Sequence, residues 1–385
     1  MKRLFFVMMI GFSALRISAQ DSTAVETNSR LSIGGYGHVD YNQPLSGDTR
    51  NNGKLDVHRV VLLFNYNFSN KLNLVTELEM EHVSEVYVEQ AYLGYKVLPN
   101  LELRAGLMLI PFGIINEYHE PPTFFGVERP LVDNTIIPTT WREIGFGVSG
   151  NIQSVGLKYQ FYLVNGFNGY DGSGKFSGSG GFRKGRQKGA ESYISSPNIS
   201  MRVEHLTTPS LKIGLSGYFG DSQSTLFNKI SKDDAAAEAK ADSSVVNIAM
   251  VGADYQFKYK RFQSRALIAY ANIGNTEQYN QFVGTDLGSA MLGWYVEAGY
   301  RVLDFKAAGH DISLSPFARI ERINTHFSTT GNLTAKDNYD LTALFAGFSL
   351  HLSKQAVFKT DLELRKTAAD SEYSKILNIG VGFMF

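Results

Sequence analysis

Apolar and polar residues alternate with a period of two along most of the chain, the mark of strands whose two faces meet different surroundings. In Lys71–Glu81, Leu72, Leu74, Leu78 and Met80 share one face and Asn73, Glu77, Glu79 and Glu81 the other. Leu101, Leu103, Ala105, Leu107 and Leu109 oppose Glu102, Arg104, Gly106 and Met108, and the last residues alternate Leu377, Ile379, Val381, Phe383 and Phe385 against Asn378, Gly380 and Gly382. The rhythm predicts about sixteen strands, near 31–41, 55–68, 71–81, 86–97, 101–109, 141–150, 153–164, 197–206, 211–220, 245–258, 261–272, 289–302, 312–322, 341–352, 355–366 and 375–385. Each is close to the ~9–11 residues that a tilted strand needs to cross a bilayer. No helical period of useful length competes with them.

The connections carry a second signal. Short links at 69–70, 98–100, 151–152, 207–210, 259–260 and 353–354, with a somewhat longer one at 303–311, alternate with mostly long polar ones at 42–54, 110–140, 165–196, 221–244, 273–288, 323–340 and 367–374; only 82–85 is short out of turn. A soluble β-sandwich has alternating strands but nothing that forces its loops to alternate. A transmembrane antiparallel barrel does, with tight periplasmic turns and long outer loops. Lipid cannot satisfy a sheet edge, so the first strand, with Leu31, Ile33, Val39 and Tyr41 outward, is expected to pair with the last. Tyr66, Phe68, Tyr95, Tyr159, Tyr255, Phe257, Trp294, Tyr300 and Phe358 share the apolar parity, as an interfacial girdle requires. Glu89 shares that parity too, which places it at a rim or on a bulge.

Composition sharpens this picture. Of 385 residues, 19% are charged and 43% apolar, with 37 Gly, 26 Phe and 20 Tyr. This is little charge and much aromatic content for a globular protein. The absence of cysteine excludes disulfides, thiolate metal sites and iron–sulfur clusters. Lys2-Arg3, the apolar stretch Leu4–Leu15 and Ile17-Ser18-Ala19 have the layout of a secretory signal peptide, 1–19, with 20–30 as a periplasmic lead and 31–385 as the barrel. Cleavage there removes Lys2, Arg3 and Arg16 and leaves 34 basic against 37 acidic residues. Nothing in that balance attracts nucleic acid.

Several stretches carry a family likeness: Val88-Glu89-Gln90-Ala91-Tyr92-Leu93-Gly94-Tyr95, Leu101-Glu102-Leu103-Arg104-Ala105-Gly106, Ile110-Pro111-Phe112-Gly113, Phe124-Phe125-Gly126-Val127-Glu128-Arg129-Pro130 and Arg142-Glu143-Ile144-Gly145-Phe146-Gly147. Together they resemble the phosphate-selective porin O and P family of Gram-negative outer membranes, in the form common in Bacteroidota. The resemblance implies a sixteen-stranded homotrimeric channel in outer-membrane lipid and lipopolysaccharide, with one loop folded inward. It also implies a C-terminal aromatic, here Phe385, read by the outer-membrane assembly machinery. Leu107 and Leu109 stand where the family often carries polar Gln and Lys, so its basic ladder does not transfer residue by residue.

The candidate constriction is 110–140, stiffened by five prolines and carrying Glu117, His119, Glu120, Glu128, Arg129 and Asp133. Charges on a loop inside a barrel act at close range on whatever passes. By parity the lumen wall receives Arg59, Glu77, Glu79, Glu81, Arg104, Lys158, Arg265, Arg319 and Arg365, a mixed set without a clear sign. The Glu77-Glu79-Glu81 row reads as a wetted face paired with basic neighbours before it reads as a cation site. The 165–196 loop, with Lys175, Arg183, Lys184, Arg186 and Lys188, reads equally as an anion-attracting mouth or as a solvated connection. Its Gly169…Gly174-Lys175 lacks the Ser/Thr of a phosphate loop, and the Ala-rich 231–241 suits a short loop helix. No Gly-x-Ser-x-Gly or His-Glu-x-x-His occurs, and the eight histidines lack ligand spacing, so neither a catalytic residue, a metal nor a cofactor is expected. A Ser/His pair assembled in space would involve His38 or His351. The expected function is a porin for passive diffusion of small hydrophilic solutes with a leaning to anions. The alternatives are a specific phosphate or anion channel, or a non-conducting barrel serving adhesion or assembly.

Overall fold

The computed structural model describes residues 30–47, 49, 51–231, 233–307 and 309–385; the leader expected over 1–19 lies outside them. Sixteen strands close into one antiparallel barrel. They are β1 (Leu31–Pro44), β2 (Lys54–Asn67), β3 (Leu72–Glu81), β4 (Glu85–Leu98), β5 (Leu101–Leu109), β6 (Arg142–Ile152), β7 (Leu157–Val164), β8 (Asn198–Thr208), β9 (Leu211–Asp221), β10 (Asn247–Tyr259), β11 (Phe262–Gly274), β12 (Ala290–Tyr300, continued by Leu303–Ala307), β13 (His310–Ser328), β14 (Asp340–His351), β15 (Ala356–Thr367) and β16 (Ser374–Met384). The seam pairs β1 with β16, Tyr36 opposite Met384 and Gln43 opposite Leu377, and Gly35 and Phe385 exchange backbone bonds of 3.0 and 2.8 Å. The sheet has no free edge.

The faces separate as the period of two requires. Leu78 and Met80 point outward while Glu77 and Glu79 are buried inside. Tyr66, Phe68, Tyr95, Tyr159, Tyr255, Phe257, Tyr300 and Phe358 all fall at the short-turn rim, where even strands end and odd strands begin; Trp294 sits farther along β12. Tyr270 and Phe327 meet edge-on near the long-loop rim, 6.2 Å apart. At the seam, a Cβ on Gly35 or Gly37 would lie 2.8 Å from the ring of Phe385 or Phe383, so these rings cover bare backbone.

One open local expectation is resolved and three change. Glu89 stands on a β-bulge where the register slips from Glu77–Gln90 to Leu78–Val88, and it turns inward, fully buried. Leu107 and Leu109 keep their parity yet are only 8% and 5% exposed. β4 and β5 stop pairing beyond Ala91–Leu107, and Gly189 of the 165–196 loop lies against Leu107 there. The connection expected at 303–311 is largely extended, because Leu303–Ala307 pairs back onto His310–Leu314. The strand expected from residue 153 starts at Leu157, after a 3-10 turn at Gln153–Val155 that Gly156 closes with a left-handed φ of 64°.

Residues 110–141 leave β5, cross the interior and return to β6. Glycines of the inner wall make room for them: Gly252 under Phe112, Gly293 under Val132 and Ile136, Gly299 under Phe125, Gly382 under Pro121. The 165–197 loop folds in beside this segment, with Phe167 stacked on Trp141 at 4.5 Å and on Phe182 at 5.4 Å. Tyr279, on the loop helix α1 (Thr276–Val283), donates to the Gly169 carbonyl at 2.7 Å and accepts from the Lys175 and Phe176 amides. These loops and inward residues such as Met250, Leu267 and Tyr295 build one apolar core inside the barrel. Each large side chain buried this way contributes about 1.5–3 kcal/mol. The loop's aromatic content therefore makes it a packed element rather than a solvated connection.

Candidate pore constriction

The wall charges are paired, some across strands, some two residues apart on one strand, and one with the inner loop. Arg59 meets Glu79 at 3.2 Å, and Arg202 makes a two-pronged contact with Asp254 at 2.6 and 2.9 Å. Arg319 bridges Glu297 and Glu321 at 3.6 and 3.2 Å, and Arg265 also binds Glu297. Arg104 pairs with Glu102 at 3.1 Å, Lys158 lies 3.8 Å from Glu117, and Arg365 binds Glu363. Glu77 accepts from Gln90 at 2.7 Å.

The six charged residues singled out on the inner loop do not converge. Glu117 accepts from Gln160 of β7 at 2.6 Å, while His119 lies 2.6 Å from the Tyr36 hydroxyl of β1 and 3.4 Å from Glu89. Glu128 accepts from Asn42 near the seam, and one Glu120 carboxylate oxygen is buried without a partner. Asp133 is 1% exposed; burial pushes its carboxyl up to about 8 despite the pull of Arg265, which favours its neutral form. The loop thus runs round the wall and is pinned strand by strand. Lys359 holds the Phe124 and Gly126 carbonyls at 2.6 and 2.9 Å, Asp361 the Val127 amide at 2.8 Å, and Glu321 the Leu131 amide at 2.6 Å.

Only Arg129 of the six reaches the narrow gap between the two inner loops. That gap, about 10 Å³ or roughly one water molecule, is lined by Glu79, Glu81, Tyr87, Arg129, Thr139, Thr140, Arg142, Arg183, Arg186 and Lys188. Arg183 donates to the Thr139 carbonyl at 3.0 Å and Arg186 to Thr140 at 3.3 Å; Lys188 sits 4.3 Å from the centre of the Tyr87 ring. Nη1 of Arg129 and Nε of Arg142 are buried without a partner. Burial, and then the charges of Arg183, Arg142 and Arg129, push the Arg186 guanidinium down to about 9. Crowded cations with unused donors are a site that gains from an anion. The basic content of 165–196 was visible in the sequence, but its place beside Arg129 and Arg142 was not.

Three of the eight histidines meet in space. His38 stacks on His58 with ring centres 4.3 Å apart, and His82 lies tilted beyond His58 at 5.7 Å, beside Asp40 and Asp56. His38 therefore faces another imidazole and a carboxylate rather than the loop serine a hydrolytic pair would need.

No family model matches the chain. An uncharacterized protein of Aquifex aeolicus is 28% identical over 386 residues, spanning 94% of this chain and 82% of its own. Among solved structures, Salmonella typhi OmpF in complex with daunomycin superposes with a TM-score of 0.58 at 12% identity, over 92% of this chain and 97% of that one. The fold is a porin barrel. An anion-selective porin from Comamonas acidovorans (TM-score 0.55, 12% identity) and a loop-deletion form of OmpT, an outer membrane protein of Vibrio cholerae (0.57, 11%), each align over 92% of this porin-like chain and 99% of their own.

Proposed function

We propose that this chain is an outer-membrane channel for passive diffusion of small hydrophilic solutes, with a preference for anions. It is delivered by its signal peptide and assembled as a homotrimer. The observation that carries the proposal is the cluster of Arg129, Arg142, Arg183, Arg186 and Lys188 at the gap between the inner loops, opposite Glu79 and Glu81. Excess positive charge at a narrow gap, in a cross-section with low-dielectric walls, lowers the barrier for an anion and raises it for a cation. No reaction is needed, since solutes move down their gradients. A gap this small suits inorganic anions before sugars, and phosphate is one member of that class.

The burial of the mid-lumen charges, among them Arg59, Glu79 and Glu89, favours a second reading in which the barrel is closed and serves as an adhesion or assembly platform. Planar bilayers separate the two. The channel reading expects stepwise conductance, with a reversal potential in a KCl gradient on the chloride side. Insertion without conductance steps would sink it in favour of the platform.

A further inference from the structure

We propose that His38, Asp40 and His58 form a binding site for a borderline divalent transition-metal ion, of the class of Zn²⁺ and Ni²⁺, at the long-loop end of the lumen wall. Three strand positions far from any metal-ligand spacing build it. Position 38 is inward on β1, position 40 follows it on the same face, and the bulge that slips the β1–β2 register between them turns His58 inward as well. The donor atoms lie close together: His58 Nδ1 is 2.8 Å and His38 Nε2 is 3.6 Å from the same Asp40 oxygen. An ion with bonds of about 2.0–2.1 Å in tetrahedral array spaces its donors roughly 3.3 Å apart, midway between these values.

A second observation points to a ligand. His38 is only 7% exposed, its Nδ1 is buried without a hydrogen-bond partner, and Nε2 at 3.6 Å is beyond hydrogen-bond reach of Asp40. A buried imidazole with an unsatisfied nitrogen, and the other turned toward a carboxylate out of hydrogen-bond reach, is costly unless something binds it. The stacking of His38 on His58 at 27° leaves both rings presenting their edges to Asp40. His82, with its Nδ1 2.6 Å from Asp56, lies next in the row at the rim and stays half-exposed, giving an ion a route from outside.

The surroundings choose the class of ion. The charges of Arg59, Arg129 and Lys359 act on His38, so an ion there is held by coordinate bonds rather than by local charge. Two imidazoles and one carboxylate suit Zn²⁺ or Ni²⁺, whereas Mg²⁺ and Ca²⁺ require oxygen cages. With three protein donors, one position stays open to water or to a passing anion.

The proposal does not rest on conduction, and its test uses none. The full-length barrel, folded in detergent, is titrated calorimetrically with ZnCl₂, NiCl₂ or MgCl₂. The expected result is one Zn²⁺ or Ni²⁺ per chain, no heat with MgCl₂, at least tenfold weaker binding in His58→Ala and in Asp40→Asn, and unchanged binding in a His205→Ala control. Zinc X-ray absorption of the loaded wild type needs no variant and is expected to show two imidazole ligands. Absence of binding by the wild type, binding kept within twofold in both variants, or a zinc spectrum without imidazole overturns the proposal.

Discussion

Two sets of arginines share this lumen and live differently. On the wall, Arg202 is held by Asp254 and Glu204, and Arg319 by Glu297 and Glu321, so each guanidinium is answered by two carboxylates. At the seam between the inner loops, Arg129, Arg142, Arg183, Arg186 and Lys188 face backbone carbonyls, an aromatic ring and one another. The wall charges sit at strand positions where parity brings an acid beside a base, so their fields cancel and what remains is cohesion. The seam charges come from three chain segments that only tertiary packing joins, and their field is left over. The first set serves as scaffold, and the second is the element to which the proposed anion preference is assigned.

Breaking a wall pair has the largest expected effect. Asp254→Ala removes the two-pronged partner of buried Arg202 and leaves it only Glu204 at 3.6 Å, which costs about 3 kcal/mol. Urea unfolding, followed by the heat-modifiable mobility of the barrel on gels, measures the loss, while the reversal potential stays on the chloride side. Converting the seam, Arg183→Glu together with Arg186→Glu, gives the opposite pattern. Loss of their bonds to Thr139 and Thr140 costs about 1–2 kcal/mol, and the reversal potential in a KCl gradient changes sign. A variant pair that moves both properties equally would erase the distinction between scaffold and selector.

The smallest effect concerns Asp286 in the outer loops, a paired group outside the wall. Burial pushes its carboxyl up, but Lys336 at 2.6 Å and Tyr339 at 2.7 Å outweigh this and hold it down at about 2. A depressed carboxylate stabilises the loop cluster above its ordinary value near pH 4, and that contribution is lost as pH falls toward 2. Protease sensitivity of the 323–340 loop is expected to rise across that window in the wild type and not in Asp286→Asn, where it is already high.

The barrel was legible because strand periodicity is a local property with a sharp rule. Each of the sixteen expected strands appears, and alternating loop lengths oriented them. Glu89 broke parity in the sequence, and the bulge explains it. Where strands fray into loops the rule weakened: Leu303–Ala307 continues β12, and Leu107 and Leu109 lie under a loop because β4 and β5 part above them. For the candidate constriction, length and prolines marked 110–140. Nothing local told that His119 would find Tyr36, that burial would favour the neutral form of Asp133, or that Arg129 alone of the six would reach the gap.

The sequence by itself determined the strands, their faces, their direction and the closure of Leu31–Pro44 onto Ser374–Met384, since a period of two and an unsatisfiable sheet edge leave little choice. Only the tertiary structure decided which charges are spent and which are free. Pairing on a wall follows from neighbouring registers. The meeting of Arg129 and Arg142 with Arg183, Arg186 and Lys188, and of His38 with His58, depends on loop packing and on a bulge that no periodicity encodes.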